Sequence, residues 1–523
     1  MVGTVRYCGM GRRSRHRAAV WLAVAALLAG ACTDDGDGGD DGDSSPAGSL
    51  GPADFEEVDC WWNDQYGTIP DEVTLTCGTI DVPSVPGDPE SDPVTLAVAR
   101  LHHGDAPTDE PPIVFLHGGP GGTALESAPD ELMALPSLEE RDIILWDQRG
   151  SGRSLPSLNC PEKEDAILDT LARADSWEDE LALNQRAVQA CHQRLTSQGV
   201  DLDLYDTLTS VADMEALREA LGYEEWNVWG ASYGTRLGLA YAREHPDRVR
   251  SLVIDSVYPP EVGGIERTEA LIDSALQRLF DACAQDPGCA AAYPDLEGLL
   301  ATAVADLDRR PEELTRTVFV GRGPQERTFT ITGSDVRAGV FVAMYRSDLI
   351  PVLPSIIAAL AKGDRGIIPA FIDSGIPNLV DPSEGDFFSV ECADSGRLID
   401  DAEAQTALEG VTDDALVALS SAQVFCQDWQ VEQEPASFNE QVVVDVPTLV
   451  FAGTLDPITP YLDSKGQAEA MPDARYVEVP NGGHTVAPFD DCTQQARADF
   501  WTDPSSELPA CVADLAARPF SIS

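Results

Sequence analysis

The stretch "NVWGASYGTR", residues 227–236, contains the pattern Gly-x-Ser-x-Gly at its centre. The apolar run "WNVW" (226–229) precedes the serine and a helical pattern follows it, so Ser232 is predicted to lie on a sharp turn between a strand and a helix. Such a turn crowds the strand against the helix, which requires small residues such as Gly230 and Gly234. A chain of this composition would show the pattern about 0.2 times by chance, so its surroundings must support the interpretation of Ser232 as a nucleophile.

A serine hydroxyl becomes a good nucleophile only when a base takes its proton, and histidine is the usual base. The chain has seven histidines, and only His245 and His484 follow Ser232. His245 falls at the far end of the helix that starts after Ser232. His484 stands in the glycine-rich stretch "NGGHT" after the strand pattern "YVEV" (476–479). Because the acid and the histidine follow the nucleophile in the fold that carries such a turn, His484 is the predicted base.

The acid that orients the histidine is expected between these two residues and directly after a strand. Asp456 follows the apolar run "TLVFA" (448–452), and one helix and one strand fit between it and His484. Asp255, in "VIDS" one strand earlier, is the rival. We favour Asp456, whose carboxylate would fix the tautomer of the imidazole and stabilise the imidazolium.

A glycine-rich loop is predicted to stabilise the oxyanion that forms when a serine attacks a carbonyl. The stretch "LHGGPGG" (116–122) follows the strand pattern "IVFL" (113–116), and its glycines allow the backbone to approach a substrate. The backbone N–H groups of Gly119 and Tyr233 are the predicted donors. His117, in the same loop, is interpreted as a structural histidine.

Short apolar runs alternate with helical patterns along much of the chain. Continuous apolar runs are typical of strands that are covered on both faces. Strands that alternate with helices predict a mostly parallel α/β sheet flanked by helices. The predicted strands are "IVFL" (113–116), "IILW" (143–146), "WNVW" (226–229), "SLVI" (251–254), "TLVFA" (448–452) and "YVEV" (476–479).

The rhythm of strands is interrupted between the strands near residues 254 and 448. Residues 260–445 show helical patterns without a clear run of sheet strands, and a plain loop of that length is implausible. We therefore predict a large, mainly helical lid inserted into the sheet. The core would consist of residues 53–259 and 446–523.

The first residues resemble a bacterial export signal. An arginine-rich start precedes an apolar run (18–29) that is shorter than the ~20 residues of a membrane span. Small residues then lead to Cys32, as in a lipobox, which predicts removal of residues 1–31 and lipidation of Cys32. Ala29 stands where leucine is preferred, so ordinary cleavage and free secretion remain the alternative. Residues 32–52 would form an acidic, disordered linker that holds the protein at the outer face of the cytoplasmic membrane.

The charge balance excludes several classes of partner. The net charge is −56 and the isoelectric point is near 4.1. Such a surface repels nucleic acids and anionic lipid headgroups, so contact with the membrane is expected only through a lipid anchor. A monomer is favoured.

The cysteines fit an exported protein. Twelve occur, and ten remain when Cys8 and Cys32 are set aside. None forms a C-x-x-C pair, so we expect disulfides rather than a metal site, and no cofactor. Sequence does not fix their connectivity; the simplest pairing joins neighbours, as Cys60–Cys77, Cys160–Cys191, Cys283–Cys289, Cys392–Cys426 and Cys492–Cys511.

The motifs taken together resemble a known family. The stretches "HGGPGG", "WDQRGSGRS", "GASYGT" and "GTLDPITP…GGHT" are similar to those of α/β-hydrolases of the proline iminopeptidase and tripeptidyl aminopeptidase-like type, in particular the exported lipoproteins of actinobacteria. The resemblance covers roughly residues 59–512, with a TAP-like C-terminal region. It implies a triad of Ser232, Asp456 and His484 and oxyanion donors at Gly119 and Tyr233.

The resemblance also suggests roles for residues outside the triad. Asp147 and Arg149 would brace the active-site loops. Lid carboxylates bind the substrate ammonium in aminopeptidases of this kind, and Glu391 and Asp394 are the candidates here. The alternative is that both are solvated surface carboxylates. Thr459, three residues after Asp456, is expected to hydrogen-bond within the site.

These observations predict an exported serine exopeptidase that releases short peptides or single residues from free N-termini. Its substrate would form an acyl-enzyme on Ser232. An esterase that uses the same triad is the first alternative. A surface-binding lipoprotein that has lost catalysis is the second.

Overall fold

The computed structural model describes most of the chain after residue 53. The described residues are 54–61, 72–104, 106–127, 136–173, 176–263, 268–320, 323–370, 383–398, 422–488 and 490–522. The predicted export signal 1–31, the lipidation site Cys32 and the linker to residue 52 lie outside them. Within the described ranges, no helix combines the length and the apolar character needed to cross a bilayer.

A nine-stranded sheet is the centre of the fold. In chain order the described strands are β1 Glu56–Val58, β2 Val73–Pro83, β3 Pro93–His103, β4 Ile113–Leu116, β5 Ile143–Asp147, β6 Trp226–Ala231, β7 Val249–Asp255, β8 Glu312–Val320, β9 Gly323–Ile331, β10 Thr448–Gly453 and β11 Ala474–Val479. The sheet has the order β1-β2-β3-β5-β4-β6-β7-β10-β11, and β8 and β9 form a separate hairpin. Strands β5, β4, β6, β7, β10 and β11 pair in parallel, whereas β1 to β3 extend the β5 edge in antiparallel fashion.

The six parallel strands coincide with the six apolar runs of the sequence, which confirms the predicted mostly parallel sheet. All residues of β10 are buried. In β7, Leu252 and Ile254 pack into one apolar cluster, whereas Val253 packs into another on the opposite face. A strand covered on both faces has no polar alternation, which is why the continuous runs were informative.

The sequence analysis missed β1 to β3. Exposed polar positions interrupt the apolar pattern of β2, as expected for strands near the open edge of a sheet.

Helices cover the sheet and build the inserted segment. They are α1 Ala124–Ser127, α2 Pro161–Leu171, α3 Trp177–Ser197, α4 Thr207–Ala220, α5 Tyr233–Glu244, α6 Thr268–Gln285, α7 Pro287–Ala292, α8 Leu296–Arg309, α9 Gly333–Ala343, α10 Leu353–Ala361, α11 Glu384–Ser395, α12 Ala422–Asp428, α13 Tyr461–Ala470 and α14 Asp491–Thr502.

The chain between β7 and β10 carries α6 to α12, in the region where we predicted a helical lid. It also carries the hairpin β8–β9, which was not predicted because its strands alternate between exposed and half-buried residues rather than forming an apolar run. Helices α6 to α10 and the hairpin share one apolar cluster, which includes Ile272, Phe329 and Phe341. This part of the insertion therefore has a hydrophobic core, to which Leu168, Leu455 and Phe520 also contribute.

Five disulfides occur in the described chain, and they join neighbouring cysteines as in the simplest pairing. They are Cys60–Cys77, Cys160–Cys191, Cys283–Cys289, Cys392–Cys426 and Cys492–Cys511. The pair Cys392–Cys426 links α11 to α12 within the insertion.

The turn between β6 and α5 leaves no space for a side chain at Gly234. A Cβ there would stand 2.0 Å from the carbonyl oxygen of Leu116 in the neighbouring strand β4. At Gly230 a Cβ would stand 2.3 Å from the carbonyl oxygen of Gly234. The contacts involve backbone atoms, which cannot rotate away.

We expect Gly234→Ala to lower the free energy of unfolding by about 3 kcal/mol or more, because the added methyl group forces helix α5 away from strand β4. Gly466→Ala is the matched control, since Gly466 lies inside α13 with open space around it. The control should gain about 0.5–1 kcal/mol from helix propensity. Denaturant unfolding measures both, and equal stabilities of the two variants would contradict the packing described here.

Candidate active site

Ser232 lies on a strained turn at the carboxyl end of β6. Its backbone has φ 57° and ψ −126°, a conformation that is rare for a residue with a side chain. Hydrogen bonds fix the turn on both sides: the N–H of Ser232 donates to the carbonyl of Asp255 at 3.0 Å, and the Thr235 hydroxyl donates to the carbonyl of Ser232 at 2.6 Å. The geometry agrees with the strand–turn–helix arrangement expected from the sequence.

The glycine-rich loop after β4 approaches Ser232 closely. A Cβ placed on Gly118 would stand 2.7 Å from the Cβ of Ser232. Gly119 has φ +122°, in the region that favours glycine, so its backbone is turned in a way other residues rarely allow. Tyr233 is the first residue of α5, so its N–H has no partner inside the helix. Both predicted oxyanion donors therefore lie on backbone that adjoins Ser232.

Asp456 and His484 contact each other directly. Asp456 follows β10 and His484 follows β11, and Nδ1 of His484 lies 2.9 Å from Oδ2 of Asp456. Burial disfavours the imidazolium, but the Asp456 carboxylate and then Asp255 outweigh it and raise the pKa of His484 above its ordinary value. Burial also opposes ionisation of Asp456, yet His484 and several hydrogen bonds hold the pKa of that carboxyl below its usual range.

The Asp456 carboxylate accepts further hydrogen bonds from its own loop. The N–H groups of Ile458 and Thr459 donate to Oδ1 at 3.0 Å each, and the Thr459 hydroxyl donates to Oδ2 at 2.8 Å. The same hydroxyl lies 3.2 Å from Nδ1 of His484. Thr459 therefore hydrogen-bonds within the site, at the point where acid and base meet.

Asp255, the rival acid, holds the loop that follows His484. Its carboxylate accepts the N–H of Val486 at 3.1 Å and that of Ala487 at 2.7 Å. With both oxygens engaged by backbone, Asp255 supports the histidine loop, whereas Asp456 contacts the imidazole.

Ser256 is a residue of the site that the sequence analysis missed. It is fully buried with φ 62°, its hydroxyl accepts the N–H of Thr485 at 2.8 Å, and it hydrogen-bonds Asp456, which lowers the pKa of that carboxyl. Ser256 thus ties the acid to the histidine loop. A serine after "VID" carries no pattern of its own, so only the fold reveals the contact.

Glu391 and Asp394 lie on α11 and are both buried, so the alternative that they are solvated surface carboxylates is wrong. Both oxygens of Asp394 are engaged: Oδ1 by the N–H of Thr207, and Oδ2 by the Thr207 hydroxyl at 2.6 Å and by Arg236 at 3.6 Å. Burial raises the pKa of Asp394 to about 7 although Arg236 opposes the shift. The hydroxyl of Tyr258 donates to Glu391 at 3.1 Å.

Arg236 connects these carboxylates to the turn that carries Ser232. It lies on α5, four residues after Ser232, is fully buried, and packs over the ring of Tyr258 at 3.7 Å. The N–H of Tyr258 in turn donates to the hydroxyl of Thr235 at 2.8 Å. Helix α11 of the insertion is therefore fixed to the helix that begins at the active site.

The "WDQRGSGRS" stretch braces the loops around the site, as its resemblance implied. The Asp147 carboxylate accepts the N–H groups of Leu125 and Arg153, and burial raises the pKa of Asp147 to about 6. Arg149 forms a buried, two-contact ion pair with Asp213 of α4 at 2.6 and 2.7 Å.

His117 bonds within its own loop, where Nδ1 lies 3.0 Å from the carbonyl oxygen of Gly118, and burial lowers the pKa of His117. Among the described residues, Cys160, Glu162 and Cys191 have the proximity of a metal site, but the two cysteines are joined in a disulfide.

Two family models match separate parts of this chain. A model of the α/β hydrolase fold matches residues 111–322, and a model of TAP-like proteins matches residues 415–511. The two matches include the loops that carry Ser232, Asp456 and His484. The chain has the α/β-hydrolase fold, with a TAP-like C-terminal region.

Several curated proteins are similar in sequence. Serine protease Hip1 of Mycobacterium tuberculosis is 32% identical over 225 residues, which cover 41% of this chain and 42% of that protein. Tripeptidyl aminopeptidase of Streptomyces coelicolor is 29% identical over 217 residues, 40% of this chain and 38% of the relative. Proline iminopeptidase of Xylella fastidiosa is 33% identical over 147 residues, 28% and 32% of the two chains. The similarity spans less than half the length of each relative.

Carboxyl groups also converge on the N-terminus of α4. Asp206 caps the helix by accepting the N–H of Thr209, and Glu434 accepts the N–H of Leu208 at 3.2 Å. Burial, together with the neighbouring Asp206 and Asp394, raises the pKa of Glu434 to about 9. Because Glu434 and Asp206 hydrogen-bond to each other, this pair of carboxyl groups retains in the folded protein a proton that the unfolded chain releases near the ordinary value of 4.5.

Stability should fall as the pH rises, because the folded state binds more protons than the unfolded state between about pH 4.5 and 9. Glu434→Gln keeps an acceptor for Leu208 and cannot ionise, so we expect a flatter dependence of melting temperature on pH in this window. Glu440→Gln, at an exposed glutamate of the same segment, is the control and should retain the slope of the parent protein. An unchanged slope in Glu434→Gln would rule out a retained proton on the Glu434–Asp206 pair.

Proposed function

We propose that this protein is a serine hydrolase that removes residues or short peptides from the free N-terminus of peptides. The hydrogen bond between His484 and Asp456, at the same edge of the sheet as a serine on a strained turn, is the observation that carries the proposal. Because Nδ1 of His484 is engaged by Asp456, Nε2 is the nitrogen that would accept the proton of Ser232.

The reaction would proceed in two halves. Oγ of Ser232 attacks the peptide carbonyl carbon while its proton moves to His484, and the N–H groups of Gly119 and Tyr233 stabilise the oxyanion. The imidazolium then gives its proton to the leaving amine as the C–N bond breaks, which leaves an acyl-enzyme. Water, deprotonated by His484, attacks the ester, and the proton returns to Ser232 as the acid product leaves. No cofactor or metal enters these steps.

A peptide substrate is supported by the names of the relatives, which include a serine protease, a tripeptidyl aminopeptidase and a proline iminopeptidase. Glu391 is the residue that we propose to bind the substrate ammonium. Its carboxylate is buried and tied through Tyr258 to the turn of Ser232, so it would present a negative charge at a fixed distance from the nucleophile. Asp394, which Thr207 and Arg236 hold in place, is the second candidate.

The site of action is proposed to be outside the cytoplasmic membrane. The five disulfides are typical of proteins that fold in an oxidising compartment. Removal of residues 1–31 and lipidation of Cys32 would then anchor the protein, with residues 260–445 as the lid between core segments 53–259 and 446–523. If Cys32 is not lipidated, the protein would be secreted as a monomer.

Ser232→Ala should abolish hydrolysis of peptide anilides, by ~10³-fold or more in kcat, while the melting temperature stays near that of the parent protein. A fluorophosphonate probe should label the parent protein and fail to label the variant. Thr302→Ala, a change of an exposed hydroxyl residue of α8, serves as the labelling control. Retained hydrolysis in Ser232→Ala would refute the assignment of the nucleophile. A parent protein that neither reacts with the probe nor hydrolyses any substrate would favour a binding role.

A panel of free-amine peptide anilides, N-blocked anilides and p-nitrophenyl esters separates an aminopeptidase from an esterase. We expect Glu391→Gln to raise KM for free-amine peptides by ~10-fold or more, because a charge-assisted contact to the ammonium is lost. The same variant should leave p-nitrophenyl acetate hydrolysis within about twofold of the parent protein. Equal cleavage of blocked and free peptides by the parent protein would exclude the aminopeptidase assignment and favour the esterase.

A further inference from the structure

An arginine of the insertion contacts the loop of the predicted acid. Arg278 lies on α6, and one of its terminal nitrogens donates to the carbonyl oxygen of Asp456 at 2.6 Å. The other terminal nitrogen donates to Ser274, one turn earlier on the same helix, at 2.7 Å. Among the described residues no carboxylate forms an ion pair with Arg278, so its positive charge is not cancelled at short range and acts on Asp456.

The loop of Asp456 is also packed into the insertion. Leu455, directly before the acid, is buried in the apolar cluster that α6 to α10 form, and Ile458 packs against the same cluster. The acid is thus flanked by two apolar residues of its own loop that pack into the apolar cluster of the insertion. Arg278 adds a polar contact to the peptide group between these two residues.

Residues between α9 and α10 of the insertion contact the loop that carries His484. The N–H of His484 donates to the carbonyl of Tyr345 at 3.0 Å, and the N–H of Gly483 donates to the hydroxyl of Ser347 at 2.8 Å. The Tyr345 ring meets the imidazole edge to face, with the ring centroids 5.1 Å apart. Acid and base are therefore both fixed by a segment that the sheet does not need for its own pairing.

From these contacts we propose that Arg278 is a positioning residue for the catalytic acid: it fixes the backbone of Asp456 and places a positive charge beside the Asp456–His484 pair. This inference rests on the proposed hydrolase function. It gives the first half of the insertion, around α6 to α10, a role in the geometry of the triad in addition to covering the substrate.

The sign of the electrostatic effect follows from the groups that face the pair. Asp456 and Asp255 favour the imidazolium, and Arg497 acts on Asp255. Arg278 interacts electrostatically with Asp456, so its positive charge would disfavour the imidazolium, while Tyr345, Thr459 and Ser256 face the pair as neutral groups. Removal of the Arg278 charge should therefore raise the pKa of His484 and move the acid limb of the rate profile to higher pH.

The test compares Arg278→Met, Arg278→Lys and the control Arg310→Met in the full-length protein. Arg310 lies in the same insertion and is exposed, beside Asp306. For Arg278→Met we expect kcat on a peptide anilide to fall ~10-fold with KM within about twofold, and the acid limb of kcat/KM to rise by ~0.5–1 pH unit. Arg278→Lys keeps the charge without the planar donor, so the acid limb should stay in place while kcat falls.

The pH dependence of fluorophosphonate labelling of Ser232 gives a second readout, since it follows the protonation of His484 without substrate turnover. A wild-type kcat and an unmoved limb in Arg278→Met would overturn the proposal, as would an equal shift in Arg310→Met. If Arg278→Met does not fold, Arg278→Lys decides the matter, because a wild-type kcat there would also overturn it. Failure of the proposed function is distinct: the parent protein itself would neither turn over substrate nor react with the probe.

Discussion

The tight turn at Ser232 is the constraint on which the rest of the site depends. A chain that leaves β6 and enters α5 within one residue must place that residue at positive φ and bring helix backbone against strand backbone. The glycines at 230 and 234 are the consequence, because their neighbours are carbonyl groups that cannot move aside. The strain is tolerated because buried hydrogen bonds hold the turn from both sides. As a consequence, Ser232 lies at the N-terminus of helix α5, where the first backbone N–H groups have no partner inside the helix.

The sheet supplies the second condition, which is convergence. Strands β6, β7, β10 and β11 are neighbours and run in parallel, so the loops after them meet at one edge. Each strand end carries residues of the candidate site. Ser232 follows β6, Asp255 and Ser256 lie at the end of β7, Asp456 follows β10, and His484 follows β11. The two buried aspartates differ in what they contact. Asp255 holds backbone N–H groups of the histidine loop, whereas Asp456 faces the imidazole, so two identical side chains at adjacent strand ends have different tasks.

The insertion is fixed to the site at two places. Its first half grips the acid and base loops through Arg278, Tyr345 and Ser347, and its α11 is fixed to α5 through the buried Arg236 and Asp394. These contacts fix the insertion to the loops of Asp456 and His484 and to the helix that follows Ser232. They also keep a cluster of carboxyl groups, with raised pKa values, close to the helices that carry the site.

The sequence by itself determined the six parallel strands, the turn at Ser232 and the order of Asp456 and His484, since each depends on local pattern or on elimination among a few histidines. It also favoured the neighbouring disulfide pairs. Only the tertiary structure distinguishes the contacts of Asp456 from those of Asp255, because both residues follow apolar strands in the sequence. It alone revealed Ser256 and Arg278, whose partners are distant in sequence, and the burial of Glu391 and Asp394. Contacts of this kind form between strand ends and helices that become neighbours only in the folded chain. A single sequence does not show which elements become neighbours.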